Sequence, residues 1–375
     1  MAKTKGTVLY IGGFELPDKN PAAHRVLNNA KILRELGYNV VFCGIDKNKK
    51  TELTNAELVC DFESYPLPYP NTTKKWIKQM IDISPYSNLV LKYGDIKYIF
   101  CYNLHAVPLA KLIKFAKKRK IKLIADCTEW YEHNFSFNPI KLIKCIDTFF
   151  CMRYLQKKCD GMIAISNFLA DYYKKYIKNI VVIPPLVDLT DKKYKRVEKT
   201  NTITTFVYSG SPSASKEALG EVVRCFNKFD DLNFKFKVVG ITQEQFKEIY
   251  GIEPNLEKIE FLGRVSHKEA LEAVKRSDYS LIIRPASRVT MAGFPTKFVE
   301  AISCGTAVIA NESSDLKQYF KDGKNGFLVN IETLECDLRN IILNENIPFV
   351  ECEIFDYRFF YNSVDALLKR MDYSV

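Results

Sequence analysis

Short β-rich apolar runs alternate with longer amphipathic ones along nearly the whole chain, and that alternation admits few folds. TVLYIGG, NVVFCGI, IKYIFCYN, IKLIADC, GMIAISN and NIVVIPP read as strands. Helical patterns separate several of them, near Ala22–Leu36, Val107–Arg119 and the stretch FLADYYKKY. Strands that alternate with helical crossovers pair in parallel and stack helices on both faces of a sheet. A second series follows with ITTFVYSG, FKFKVVG, IEFLG, YSLIIRP and TAVIAN, with helices expected near Lys216–Phe229, Gln243–Ile249, His267–Arg276 and Pro295–Cys304. Between the series, Leu186–Asn201 is polar and charged, the best linker. A chain of 375 residues suits two domains better than one core. The expected organisation is therefore an α/β chain with one doubly wound parallel sheet in 1–190 and another in 200–356. A final amphipathic helix, about 357–375, is expected to pack back on the first domain. In such folds ligands bind outside the carboxyl ends of the strands, here in a cleft that both sheets face.

Charge is unevenly placed. Residues 1–200 carry 34 Lys+Arg against 19 Asp+Glu, whereas the whole chain, at 55 against 44, is only +11. A basic first half favours an anionic partner such as membrane lipid or a phosphorylated acceptor; nucleic acid ranks last because no recognised binding module accompanies the charge. The eleven cysteines are scattered through apolar contexts without a C-x-x-C pair, a reduced, cytosolic pattern. MAKTKG runs straight into a strand, so no secretory leader is expected, and no apolar run reaches the 18 residues of a membrane span. NPIKLIKCIDTFFCMRYLQKK alternates apolar bulk with Lys141, Lys144, Arg153, Lys157 and Lys158; it either packs on its own sheet or lies on an anionic bilayer.

Several strand-end loops carry chemistry. In AGFPTKFVEAISCG, Gly293 can adopt backbone closed to other residues and Pro295 suits a first helical turn, so free N–H groups point outward at a helix start and attract phosphate. Lys297 and Glu300 share one face of that helix. Gly210 closes ITTFVYSG, and small residues surround Lys216 beyond it. Gly263 and Arg264 follow another strand, and Arg284 ends YSLIIRP, a costly position for a cation unless it meets a carboxylate or phosphate. In the first half, Gly12 and Gly13 turn after the first strand and His24 and Arg25 open a helix, without the G-x-G-x-x-G of nicotinamide binding. Asp126, Glu129 and His133 lie at or beyond a strand end, placed either for acid–base work on a hydroxyl or for inter-loop hydrogen bonds. Four histidines, without H-x-H or H-E-x-x-H spacing, argue against a metal site.

Together these pieces resemble glycosyltransferases of the GT-B architecture, two Rossmann-like domains facing a central cleft, and within it the large retaining family four (group 1). The most specific segment is Ala292–Val329, with its glycine loop, acid-bearing helix, strand and Asp-Gly-x-x-Gly turn; YSGSPSASKEAL, FLGRVSHKEAL and DGMIAISNFLADYYKKY add to it. The resemblance implies a nucleotide-diphosphate-sugar donor held by the C-terminal domain and an acceptor on the N-terminal one. It also implies retention of anomeric configuration, with no metal or other cofactor. It assigns Lys216 to the diphosphate, Glu300 to the ribose, Gly293, Phe294, Pro295 and Thr296 to a phosphate cradle, and Gly263 and Arg264 to the nucleobase. Gly210, Lys297 and Arg284 complete the donor side, with Lys216, Arg284 and Glu129 as the catalytic set. Gly13, His24, Arg25, Asp126 and Glu129 are the acceptor side.

The chain departs from the family at three positions. Ala292 stands where the first of two glutamates is usual, Ser211 where an arginine is usual, and Thr128 where a histidine is usual. The expected role is sugar transfer to a glycan or lipid-linked oligosaccharide of capsule, exopolysaccharide or lipopolysaccharide, in the cytoplasm or at the inner face of the membrane. The departures keep open a catalytically silent nucleotide-sugar-binding homologue or partner subunit; a nucleotide-sugar epimerase shares the architecture, but such enzymes need acids in the cleft where this chain has Ala292.

Overall fold

The computed structural model describes residues 4–52, 55–132, 138–211, 217–321, 323–344 and 346–373. The chain divides into two compact units, Met1–Leu186 with Tyr357–Val375, and Val187–Asp356.

The first unit is built on an eight-stranded sheet. In spatial order its strands are Ile180–Val182, Gly161–Ala164, Lys122–Cys127, Ile96–Tyr102, Thr7–Gly12, Asn39–Cys43, Phe62–Ser64 and Glu57–Val59. All neighbours run parallel except the last pair. Every residue of Thr7–Gly12 is buried, as a central parallel strand covered on both faces requires. The helix Pro21–Glu35 begins where Asn20 accepts the Ala23 N–H at 2.9 Å and Pro21 takes the first turn. Its Val26, Ala30 and Leu33 pack with Tyr10, Phe42 and Phe100 in the core.

The chain's last helix, Tyr361–Tyr373, completes this core with Val364, Leu367, Leu368 and Met371. Each such side chain contributes about 1.5–3 kcal/mol on burial. Its close approach depends on Gly161, where a Cβ would lie 2.6 Å from Met371 Sδ. Tyr98 donates to Asp372, and Tyr357 donates to Glu35 Oε1 at 2.6 Å, which fixes the helix and the turn before it on this unit.

The second unit has six parallel strands in the order Ile259–Gly263, Phe234–Val239, Thr204–Ser209, Tyr279–Ile282, Ala307–Asn311 and Gly326–Val329. In chain order that is 3-2-1-4-5-6, the doubly wound arrangement whose order reverses between its first and fourth strands. The crevice at that reversal lies beyond Ser209 and Ile282. In the first unit the equivalent reversal falls between Thr7–Gly12 and Ile96–Tyr102.

The structure differs from the expectations in several places. The segment expected as a linker is tied into the second unit from Val187 onward. Val187 N donates to Phe355 O at 3.0 Å, Leu189 N to Asp356 Oδ2 at 3.0 Å, and Lys199 Nζ to Ser277 O at 2.6 Å. Its charges disguised an ordered strap, because the bonds it makes are to residues distant in the chain. The helix expected over Lys216–Phe229 runs from Leu219 to Phe226. Helices Thr73–Gln79 and Ser84–Tyr93 lack a strong apolar period and were not anticipated. Ala292 does not open a loop: it ends a short helix, Arg288–Ala292, that Ser287 and Thr290 start with a capping box.

Candidate functional site

At the second unit's strand reversal, Gly210 follows the strand Thr204–Ser209 with φ +141°, a conformation L side chains rarely adopt. A Cβ there would lie 2.4 Å from Lys297 Cε. The glycine therefore opens the space through which Lys297 reaches back from the first turn of the helix Thr296–Ser303. Lys297 Nζ sits 4.1 Å over the Tyr208 ring, donates to Tyr208 Oη at 2.9 Å and pairs with Glu217, to which Tyr208 also donates. Burial lowers the Lys297 pKa below its ordinary value, with the Glu217 charge opposing. Burial, reinforced by Glu217, raises that of Tyr208.

Arg284 lies beyond the strand Tyr279–Ile282. Asn311 clamps its backbone, accepting from Arg284 N at 2.8 Å and donating to Arg284 O at 2.7 Å. The side chain is buried, 8% exposed, and Nη1 donates to Thr290 O at 3.2 Å. Among the described residues no carboxylate lies within ion-pair distance of it. Burial lowers its pKa, and the Glu217 charge opposes that shift. A buried guanidinium with one carbonyl partner retains donors for an anion.

One turn beyond Lys297, Glu300 Oε1 lies 3.2 Å from His267 Nε2. His267 begins a helix capped by Ser266 and Glu269. Gly263 takes φ +63°, and exposed Arg264 lines a recess of about 540 Å³ with Ser211, Gly240, Ile241, Gln245, Glu248 and Ile249. Lys297, Arg284, Glu300 and the Arg264 recess all belong to loops or helix starts at the carboxyl end of this one sheet. Lys216 lies outside the described residues, as does His133.

Some expected roles change. Phe294 is a packing residue: its ring sits 5.5 Å from Tyr319 and 5.9 Å from Phe355, and it is buried. Pro295 is the residue before the helix and is also buried, leaving Thr296 and Lys297 to form the first turn. Gly293 has φ −84°, so no left-handed backbone demands a glycine there. Ala292 is fully buried.

In the first unit, Asp126 and Arg25 are buried in each other. Arg25 Nε donates to Asp126 Oδ1 at 2.7 Å, Tyr10 Oη donates to Asp126 Oδ2 at 2.5 Å, and Arg25 Nη1 donates to Ile183 O at 2.8 Å. Burial works against the Arg25 charge, but Asp126, Tyr10 and Tyr102 together outweigh it and the pKa is raised. Asp126 is 0% exposed. Neither group offers an acceptor a contact surface: in place of the expected acceptor-side role, both form an internal strut joining a strand, a helix and the segment at Ile183. His24 pairs with Asp18. Glu129 remains exposed beyond its strand, next to buried Thr128, and Tyr131 hydrogen-bonds to it. Gly13 is exposed at the strand reversal, where its N–H donates to Tyr102 O at 3.1 Å.

The sequence reading missed Tyr208, Glu217 and His267. Glu217 had a signal, since it adjoins Lys216; the other two read as an ordinary strand residue and an ordinary helix start.

Residues 190–346 match the family described as "Glycosyl transferases group 1". Curated protein sequences give no significant match. Among solved structures the chain is similar to sucrose-phosphate synthase from Thermosynechococcus elongatus, with TM-score 0.71 and 12% identity over 99% of this chain and 100% of that one. A glycosyltransferase from Rickettsia africae gives TM-score 0.68 and 16% identity over 100% of both. Alr3699/HepE from Anabaena, solved in complex with UDP-glucose, gives 0.62 and 12% over 97% and 100%. Such identities speak to fold, and the family match speaks to the second unit's chemistry. The chain has the GT-B fold of glycosyltransferases, and its residues 190–346 match the group 1 glycosyl transferase family.

Proposed function

We propose that the protein transfers a sugar, with retention, from a nucleotide-diphosphate-sugar to a glycan or lipid-linked oligosaccharide of a cell-surface polysaccharide. The observation that carries the donor half is the cationic cluster at the strand reversal: buried Arg284, with no carboxylate partner among the described residues, and half-buried Lys297 at a helix start, paired with Glu217. A buried guanidinium left without a carboxylate is costly unless an anion meets it, and a diphosphate is an anion that Arg284 and the neighbouring Lys297 can hold together. In this reading Lys216, Lys297, Arg284 and the backbone at the start of the helix Thr296–Ser303 stabilise the diphosphate as it leaves, without a metal. Glu300, steadied by His267, holds the ribose, and the Arg264 recess takes the base. Glu129, exposed beyond its strand on the first unit, orients or deprotonates the acceptor hydroxyl.

The basic first half suits an acceptor carrying a lipid diphosphate at the inner face of a membrane. Thermal shift against UDP-, GDP-, ADP- and dTDP-sugars identifies the donor, since a bound ligand raises apparent stability by mass action. Transfer to a lipid-linked acceptor, followed by NMR of the new anomeric centre, then tests the reaction. Buried Ala292 supplies no carboxylate, which favours a catalytically silent binder as the second reading; donor binding without turnover or hydrolysis would establish that alternative.

A further inference from the structure

The helix Pro139–Phe150 has no buried residue, yet four of its twelve side chains are large and apolar and stand in solvent. Ile140 is 63% exposed, Ile143 44%, Ile146 42% and Phe150 49%. At 100° per residue these four share one third of the helix circumference, with Lys141 and Lys144 along one border. Beside the helix runs an apolar groove of about 490 Å³. Ile143, Ile146, Phe150 and Val107 are among its lining, and Lys111 and Lys114 of the neighbouring helix Ala106–Lys118 stand at its rim.

The charge around this face is one-sided. From Asn103 to Lys158 there are 12 Lys+Arg against 4 Asp+Glu. Asp126, one of the four, is buried against Arg25, and Asp147 in the groove accepts from Ala106 N at 2.7 Å and lies 2.8 Å from His105 Nδ1. An exposed apolar stripe flanked by lysines, with its nearby acid engaged, complements a surface of anionic headgroups over hydrocarbon. No helix among the described residues is long and apolar enough to cross a membrane.

We propose that the helix Pro139–Phe150 and its groove form a docking surface for an anionic lipid bilayer, with the isoleucines and Phe150 among the acyl chains and Lys114, Lys141 and Lys144 at the phosphates. The assignment deepens the membrane-proximal acceptor of the proposed function and rests on that reading for its purpose, not for its geometry.

The test is co-sedimentation of the full chain with phosphatidylcholine vesicles, with and without phosphatidylglycerol. The wild type is expected to pellet with the anionic vesicles and to be released by salt. Each lysine near such a surface adds about fivefold in partitioning, so Lys114→Ala with Lys144→Ala weakens binding about 25-fold. Ile143→Glu with Phe150→Glu removes it. Both pairs keep the wild-type melting temperature and nucleotide-sugar thermal shift, because the side chains changed are exposed. That shift, measured without vesicles, separates failure of this proposal from failure of the donor assignment. No pelleting of wild type with anionic vesicles at low salt overturns the proposal, as does pelleting that survives Ile143→Glu with Phe150→Glu. Light scattering showing a dimer that this variant splits also overturns it, since a second copy would then own the face.

Discussion

Lys297 offers the sharpest separation between a structural ion pair and a donor-binding cation. Lys297→Met removes the partner of Glu217, whose side chain is 15% exposed against 19% for Lys297. Breaking a well-buried pair costs about 3–5 kcal/mol; the residual exposure, and Tyr208 still donating to Glu217, bring this to about 2 kcal/mol. For a unit of this size that corresponds to a fall in Tm of about 4–8 °C. In the double variant with Glu217→Gln no carboxylate is left unpaired, so most of the stability returns. Donor affinity should behave otherwise. A charge-assisted hydrogen bond to phosphate contributes about 1.5–3 kcal/mol, so both variants should bind the donor about 10- to 100-fold more weakly. Calorimetric unfolding gives the first quantity and titration with the donor found in the thermal-shift screen gives the second. Recovery of donor affinity together with stability in the double variant would refute a phosphate role for Lys297, leaving a structural pair.

Four further outcomes follow from the geometry. Arg284→Ala loses one 3.2 Å bond to a carbonyl, so the protein should fold normally while kcat falls by about 10²–10³, as for removal of one preorganised donor to a developing anion; unchanged kinetics would take Arg284 out of the site. The Lys297 pKa lies below the ordinary 10.5, so between the two values the unfolded chain binds more protons: stability should rise with pH through that window, being full above 10.5 and lost as pH falls through the folded value. Donor affinity should fall across the same window, and Lys297→Arg should abolish that fall in a pH-dependent titration. Gly210→Ala places a Cβ 2.4 Å from Lys297 Cε on backbone at φ +141°, with about 1–3 kcal/mol of strain, and should weaken donor binding as Lys297→Met does. Leu367→Ala, in the helix that returns to the first unit, should cost about 2–5 kcal/mol and lower that unit's melting transition while the nucleotide-sugar shift is kept.

How much of this was legible beforehand depended on how local the cause was. The helix His267–Arg276 matched its expected bounds because Ser266 and Glu269, three residues apart, write its capping box in the sequence. The strands of both sheets stood out because buried parallel strands are continuous apolar runs. Asp126 and Arg25 read as site residues because their types and their addresses, a strand end and a helix start, suit chemistry. Only their mutual distance turned them into an internal strut. Lys297 was visible as a cation at a helix start, but its partners Tyr208 and Glu217 are 89 and 80 residues away.

What the sequence by itself determined was the class of fold and the loops at which a ligand could be met, because periodicity, caps and glycine punctuation act over a few residues. What only the tertiary structure decided was which charged groups satisfy one another and which stay available. Asp126 was consumed by Arg25 and Tyr10, Arg284 was buried without a carboxylate among the described residues, and Ile140, Ile143, Ile146 and Phe150 were left in solvent. Electrostatic partnership and burial depend on distances in space between residues far apart in the chain, and no local pattern encodes them.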